Sequence, residues 1–314
     1  MLDRAHLPMG DGAEFDAIRA MLVAWGPQAI GIGDDAAVLE IPDGERLVAS
    51  TDATVENVHF RRGWLSAEEI GGRAAAAALS DLAAMAATPR GLLLALGVPD
   101  GWREELDAIA RGVGRVSAAA GCPIIGGNIT RASELLVTVT VLGSAGHPLR
   151  RAGARPGDII FVTGELGGPG AALAAWVSGA QPEPAHRDRF AHPVPRIQEA
   201  RWLAERGATA AIDISDGLVR DAAHVARASG VSISIDAARV PTTAGTTTDL
   251  AVASGEEYEL LVAMPPGANV DIDAFRQLFR TSLTSIGRVV SAGSAPVVIA
   301  GLSLPSGVAF DHFS

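Results

Sequence analysis

The sequence predicts a mixed α/β protein of two domains, and three observations carry that reading. The chain has 314 residues, 48% of them hydrophobic, enough for one large core or two ordinary ones. Short apolar runs of strand character alternate with helical spacings through both halves. One Gly-, Pro- and Arg-rich stretch, SAGHPLRRAGARPGD at 144–158, interrupts that alternation. It reads as a domain boundary and gives expected domains of 1–148 and 149–314.

The elements follow in order. Phe15, Ile18 and Leu22 are spaced as one face of a helix over 14–25. Residues 46–55 read as a strand that runs through Thr51 and Asp52. Ser66 and Glu69 form a capping box, and the helix it opens has an Ala-rich face to about Ala87, ahead of Pro89. Residues 91–98 make a short buried strand, 102–120 a helix stopped by Gly121, and 135–143 an alternating strand through Thr138 and Thr140. In the second half, strands are expected at 159–163, 210–214, 231–235, 259–263 and 285–290. Helices are expected at 196–206 and 217–228, and the glycine-rich run 164–170 reads as a turn. Residues 289–310 carry no charge, but Pro296 and Pro305 break them, so they read as strand–turn–strand and not as a membrane span.

Composition narrows the function. The formal net charge is −11, which argues against nucleic acid or an anionic membrane as partner. There is no lysine: all 25 basic side chains are arginine. That removes the Walker A lysine, the protein-kinase strand lysine and any Schiff base. The single Cys122 excludes an intrachain disulfide and a cysteine metal cluster, and a cytoplasmic location is expected.

Acidic residues gather at the ends of expected elements: Asp34 and Asp35, Asp52, Asp81, then Asp213 and Asp216. Strand ends and turns are where a scaffold aims carboxylates at a ligand. Grouped carboxylates repel unless they protonate or hold cations, and hard cations such as Mg²⁺ take oxygen ligands together with substrate phosphates. The pattern therefore points to Mg²⁺-nucleotide chemistry. Each acid alone has a plainer reading as a turn former or helix N-cap. Asp216 before Gly217 is the best example of a cap, whereas Asp81 lies well inside a helix and fits that reading poorly.

Six motifs then carry a family resemblance: GIGDDAAVL at 31–39, STDATVENVHF at 50–60, ALSDLAAMAATP at 78–89, IDISDGL at 212–218, SGEEYELL at 254–261 and GVAFDHF at 307–313. Ordered and spaced in this way, they resemble the thiamine-monophosphate kinase family. That family belongs to the superfamily of aminoimidazole ribonucleotide synthetase, selenophosphate synthetase and a hydrogenase-maturation protein. The resemblance implies two α/β domains, with N-terminal domains pairing into a dimeric β-barrel. It implies ATP-dependent phosphorylation of thiamine phosphate to thiamine diphosphate, with Mg²⁺ as cofactor and ATP as co-substrate. By the family pattern Asp34, Ser50, Thr51, Asp52, Asp81, Asp213 and Asp216 hold metal. Gly127, Arg151 and Ser215 contact ATP, and His59, Glu256 and Phe310 contact thiamine phosphate. No residue is assigned as a general base, because a phosphate oxygen is already ionised near neutral pH.

Three positions depart from the pattern. Asn128 stands in GGNITR where the family has an aspartate, so a metal and ATP contact becomes an amide. Glu257 replaces an aspartate and Asn57 a glycine. Two alternatives remain: another ATP-using enzyme of the superfamily, aminoimidazole ribonucleotide synthetase-like, and a nucleotide-binding homologue without catalysis. The missing N-terminal Cys and Lys argue against a selenophosphate synthetase. The final residues, His312-Phe-Ser314, argue against the hydrogenase-maturation relative, which ends in cysteine.

Overall fold

The computed structural model describes residues 12–33 and 35–302, so Asp34 and the GVAFDHF motif with Phe310 lie outside the described residues. The chain divides into two compact units. One holds the chain to Leu82 together with Ala87–His147, and the other holds Ala83–Ala86 and the chain from Pro148. Both are mixed α/β.

The N-terminal unit contains α1 (Ala13–Trp25), β1 (Arg46–Val55), α2 (Ala67–Ala84), β2 (Thr88–Val98), α3 (Leu106–Ala119), β3 (Ile124–Arg131) and β4 (Leu136–Ala145). Its four-stranded sheet has the order β1-β4-β2-β3, antiparallel except for the β2–β3 pair. The capping box forms at the start of α2: the Glu69 carboxylate accepts from the Ser66 N–H at 2.8 Å, and the Ser66 hydroxyl accepts from the Glu69 N–H at 3.2 Å. α2 ends at Ala84, short of the expected Ala87. The chain must reverse there, because Thr88 already pairs with Ser144 in the sheet. Ala86 takes a φ of 51° to make the turn. The Ala and Gly content of α2 lets α3 approach very closely. A Cβ on Gly71 would lie 2.1 Å from the Ile109 carbonyl oxygen, and one on Gly112 1.9 Å from that of Glu68.

β3 was not expected, since GGNITR lacks apolar alternation. It forms by parallel pairing with β2, from Leu92 opposite Ile124 to Val98 opposite Arg131. The expected strand 135–143 is β4. It is interior to the sheet, and the edge is β1.

The C-terminal unit contains β5 (Ile159–Thr163), α4 (Gly168–Val177), α5 (Pro184–Ala191), α6 (Ile197–Glu205), β6 (Ala210–Asp213), α7 (Leu218–Ser229), β7 (Ser232–Asp236), α8 (Thr248–Ala253), β8 (Leu260–Met264), α9 (Ile272–Phe279), β9 (Leu283–Val290) and β10 (Val297–Ala300). The sheet order is β10-β7-β9-β5-β8-β6, parallel only between β10 and β7. Ile160, Val162, Ile212 and Leu261 pack with Leu218, Ala222 and Val225 of α7 in one core. The alternate residues Phe161, Leu260, Val262 and Met264 are buried as well, so the central strands are covered on both faces. The glycine run expected as a turn opens α4 at Gly168, with Gly167 at φ 97° as its N-cap. No described helix is long and apolar enough to cross a membrane.

Candidate active site

In the N-terminal unit, β1 sets two faces by its alternation. Ser50, Asp52 and Thr54 are more buried than their neighbours. They lie opposite Val141, Val139 and Val137, which are fully buried. The Ser50 hydroxyl donates to the Asp81 carboxylate of α2 at 2.5 Å, which explains an acid inside an Ala-rich helix. The Asp52 carboxylate accepts from the Ala53 N–H at 2.7 Å. Thr51 points to the opposite face, where its hydroxyl meets that of Thr140 at 2.9 Å. Its side chain is therefore not gathered with Ser50 and Asp52.

Asn128 is exposed on β3, level with Ala95 of β2. Two strands, β4 and β2, separate it from β1. It is accordingly apart from the Ser50–Asp81 pair. It lines a cavity of about 600 Å³ with Trp25, Gly31, Asp35, Gly126 and Gly127. The Ile30 N–H donates to the Ile124 carbonyl at 2.9 Å and ties residue 30 to the start of β3. A Cβ on Gly127 would meet the Leu94 carbonyl oxygen at 1.9 Å, so only glycine fits there and its backbone is presented bare.

His59 is half-buried. Its Nδ1 accepts from the Val55 N–H at 3.0 Å, which leaves the proton on Nε2 as a donor. Glu56 of the same motif is structural: its carboxylate accepts from the Trp102 indole N–H at 2.9 Å. Asn57 has a φ of 66°. The glycine of the family pattern is explained by this left-handed turn, which asparagine tolerates better than most side chains.

In the C-terminal unit, Asp213 ends β6 and is 4% exposed. The loop after it is organised by a residue that the sequence reading missed. One oxygen of Asp221 accepts from the N–H groups of Ser215, Asp216 and Gly217 at 3.1, 3.0 and 3.1 Å. Burial raises the Asp221 carboxyl to about 7, and the nearby Asp213 and Asp216 charges add to that. Asp216 is not the cap of α7. Gly217 holds that position without a side-chain bond, and Asp216 pairs with Arg220 at 3.4 Å. Asp216, Asp221 and His224 offer ligand atoms within 4.8 Å of one another. Burial, followed by the charges of Arg151 and Arg220, lowers the His224 pKa. Arg151 is thereby placed beside this group; it is exposed, and its carbonyl accepts from the Ser229 hydroxyl at 3.0 Å.

Glu256 has φ 66° and Tyr258 φ 53°. The Glu256 N–H donates to the Ser215 carbonyl at 2.7 Å, and the Tyr258 hydroxyl donates to the Glu256 carboxylate at 2.8 Å. Glu256 and Ser215 therefore stand side by side. Beneath them Glu259, 1% exposed, is gripped by Arg196 at 2.8 and 2.6 Å and by Arg189 at 3.0 Å. Those guanidinium charges hold its carboxyl below the usual range in spite of burial. The conspicuous donors of both units are carboxylates and hydroxyls, a set suited to a hard divalent cation. The mutual repulsion of Asp213, Asp216 and Asp221 is what such a cation would relieve.

The chain matches the family described as AIR synthase related protein, N-terminal domain, over residues 33–145, and AIR synthase related protein, C-terminal domain, over residues 155–299. It is 34% identical over 285 residues to the thiamine-monophosphate kinase of Methanopyrus kandleri, covering 87% of each chain. It is 32% identical over 290 residues to that of Halobacterium salinarum, covering 90% of this chain and 94% of the relative. Among solved structures, thiamine-monophosphate kinase from Stenotrophomonas maltophilia K279a has a TM-score of 0.81 at 32% identity, over 93% of this chain and 97% of the other. AaThiL complexed with AMPPCP and TMP has a TM-score of 0.76 at 29% identity, over 96% and 97%.

Proposed function

The chain belongs to the thiamine-monophosphate kinase family, and we propose on that premise that it transfers the terminal phosphoryl group of ATP to thiamine phosphate, giving thiamine diphosphate. The observation that carries this reading is the likeness to such kinases along nearly the whole chain, including one that holds AMPPCP and TMP.

The residues fit the metal chemistry of phosphoryl transfer. Asp52, Asp81 and Ser50 in the N-terminal unit, and Asp213 and Asp216 in the other, would hold Mg²⁺; Asp34 belongs to the same family set, whereas the Thr51 side chain on the opposite face of β1 and Asn128 on β3 are not gathered with the Ser50–Asp81 pair. Bound Mg²⁺ neutralises charge on the phosphates, the part that a lysine plays in P-loop enzymes. Asp221 keeps the Ser215–Gly217 loop in one conformation, so Ser215 presents a fixed hydroxyl to the nucleotide. Gly127 presents bare backbone, and Arg151 supplies a fork for phosphate. His59 Nε2–H donates to the acceptor's phosphate. Glu256, braced by Tyr258, and Phe310 receive its cationic organic part. The acceptor oxygen needs no general base, and positioning with charge neutralisation carries the reaction.

The proposed assignment of roles is ATP and Mg²⁺ binding with dimerisation for 1–148, and an α/β domain over 149–314. A homodimer is supported by the β1 edge, whose outer residues Leu47, Ala49, Thr51 and Ala53 are exposed. Pairing of two such sheets would build the barrel that the family pattern implies. The enzyme would act in the cytoplasm. ATP consumption measured with and without thiamine phosphate tests the reading. Turnover only with that acceptor is expected. ATP binding without turnover would replace it with a nucleotide-binding homologue.

A further inference from the structure

We propose a second anion site in the C-terminal unit, which takes the phosphate group of a small molecule and is distinct from the kinase residues above. A cavity of about 780 Å³ there is walled by Arg189, Arg196, Arg276, Arg280, Thr281 and Ser282. Four guanidiniums around one opening stand against a chain whose formal charge is −11.

The four differ in how they are held. Arg196 donates to Glu259 at 2.8 and 2.6 Å and to Glu199 at 3.4 Å, and only a tenth of its side chain is exposed. Arg189 donates to Glu259 at 3.0 Å and to the Glu165 carbonyl at 2.8 Å. Buried carboxylates thus fix these two on the wall. Arg276 and Arg280 sit one turn apart at the end of α9, and among the described residues no carboxylate pairs with either. A helix C-terminus favours cations, which accounts for one arginine there. It does not account for two like charges at i and i+4, which repel, facing two further arginines across a cavity. Arg280 also takes a left-handed φ of 56°, where glycine is the usual residue.

The remaining donors narrow the chemistry. The Ser282 hydroxyl is committed to the Gly164 carbonyl at 2.9 Å, which leaves Thr281 as the hydroxyl of the wall. Glu165 is the one acid that lines the cavity, and Glu259 and Glu199 offset Arg189 and Arg196, so the cationic excess comes from Arg276 and Arg280 at the end of α9. Planar forks from several sides match the tetrahedral oxygens of phosphate better than a single carboxylate. The volume suits a small molecule.

Calorimetric titration of the full chain with inorganic phosphate, and separately with pyrophosphate, tests this at constant ionic strength set with sodium chloride. Mg²⁺ is withheld with EDTA, so that the kinase residues, which hold phosphate through the metal, stay empty. One class of anion binding should persist under those conditions. Arg276→Gln with Arg280→Gln should weaken it by roughly tenfold per guanidinium removed, the size of a charge-assisted hydrogen bond. Turnover in phosphate-free buffer and the melting temperature should be unchanged. Tighter binding of pyrophosphate than of phosphate assigns the site to diphosphates, and the reverse order to monophosphates. Binding that needs Mg²⁺, is unaltered by the double substitution, or is matched by chloride would overturn the proposal. None of the overturning outcomes depends on whether the kinase reading holds.

Discussion

Glu257→Gln separates charge from shape at a strongly perturbed carboxyl outside the metal loop. Glu257 is 2% exposed. Its Oε1 accepts from the Gly167 N–H at 2.6 Å and the Ser254 hydroxyl at 3.2 Å, while Oε2 has no hydrogen-bond partner among the described residues. Burial pushes the carboxyl from 4.5 up to about 8, against the lowering influence of the Gly167 N–H and the Arg189 guanidinium. Below 4.5 folded and unfolded chains both hold the proton, and the group has no effect on stability. Between 4.5 and about 8 only the folded chain holds it, so stability falls as pH rises through that window. At about 1.4 kcal/mol per unit, the full fall is on the order of 5 kcal/mol. Gln keeps the acceptor oxygen for Gly167 and Ser254 and cannot ionise. Scanning calorimetry from about pH 5 to 9 at fixed salt should show nearly equal melting temperatures at the acid end. At the alkaline end the variant should be the more stable protein. Parallel curves for the two proteins would show that Glu257 is not held neutral by burial, and the reasoning would fail.

Asp81→Asn should keep the fold, since an amide oxygen can still accept from Ser50, but lower turnover by roughly 10²–10³-fold, as for loss of one preorganised electrostatic contact. Unchanged activity at limiting Mg²⁺ would remove Asp81 from the site. Asn128→Asp should lower the free Mg²⁺ needed for half-maximal rate, because a carboxylate adds a full charge to the ligand set. Superimposable Mg²⁺ titrations would mean that Asn128 touches no metal. Asp221→Asn, studied above pH 8 where the carboxyl is ionised, exchanges a charged acceptor of three N–H groups for a neutral one. Because burial raises its pKa, the ionised carboxylate destabilises the fold above pH 8, so the variant should be the more stable protein in urea unfolding, with a raised Mg²⁺ requirement, and wild-type values for both would refute the reading. Gly71→Ala places a methyl 2.1 Å from the Ile109 carbonyl oxygen and should cost about 1–3 kcal/mol or more as α2 and α3 are forced apart, read from the same urea transitions.

Much of this protein was legible in its residues because the deciding forces act within a turn or two of chain. The Ser66–Glu69 box, the helical face of α1, the alternation of β1 and the stop at Gly121 all follow from neighbours three or four positions apart. Asp81 was recognisable for the same reason, as a charge that its own helix does not need. Asn57 could be read only as a departure, until its left-handed φ showed why glycine or asparagine belongs there.

What tertiary structure decided depended on partners distant in sequence. β3 exists because β2, some thirty residues earlier, offers it a parallel ladder, and nothing local in GGNITR announces a strand. β1 became the sheet edge because β4 inserted beside it, and that pairing turned Ser50 toward Asp81 and Thr51 away. Asp221 gained its role from three N–H groups that converge only when Gly217 turns the chain. Glu257 and Glu259, two residues apart on one short segment, have opposite pKa shifts. Two arginines, one at the N-cap of α6 and one at the end of α5, grip Glu259 and leave Glu257 largely to its desolvation. Charge state in a buried cluster is set by which side chains folding brings within hydrogen-bond reach, and sequence spacing does not carry that distance.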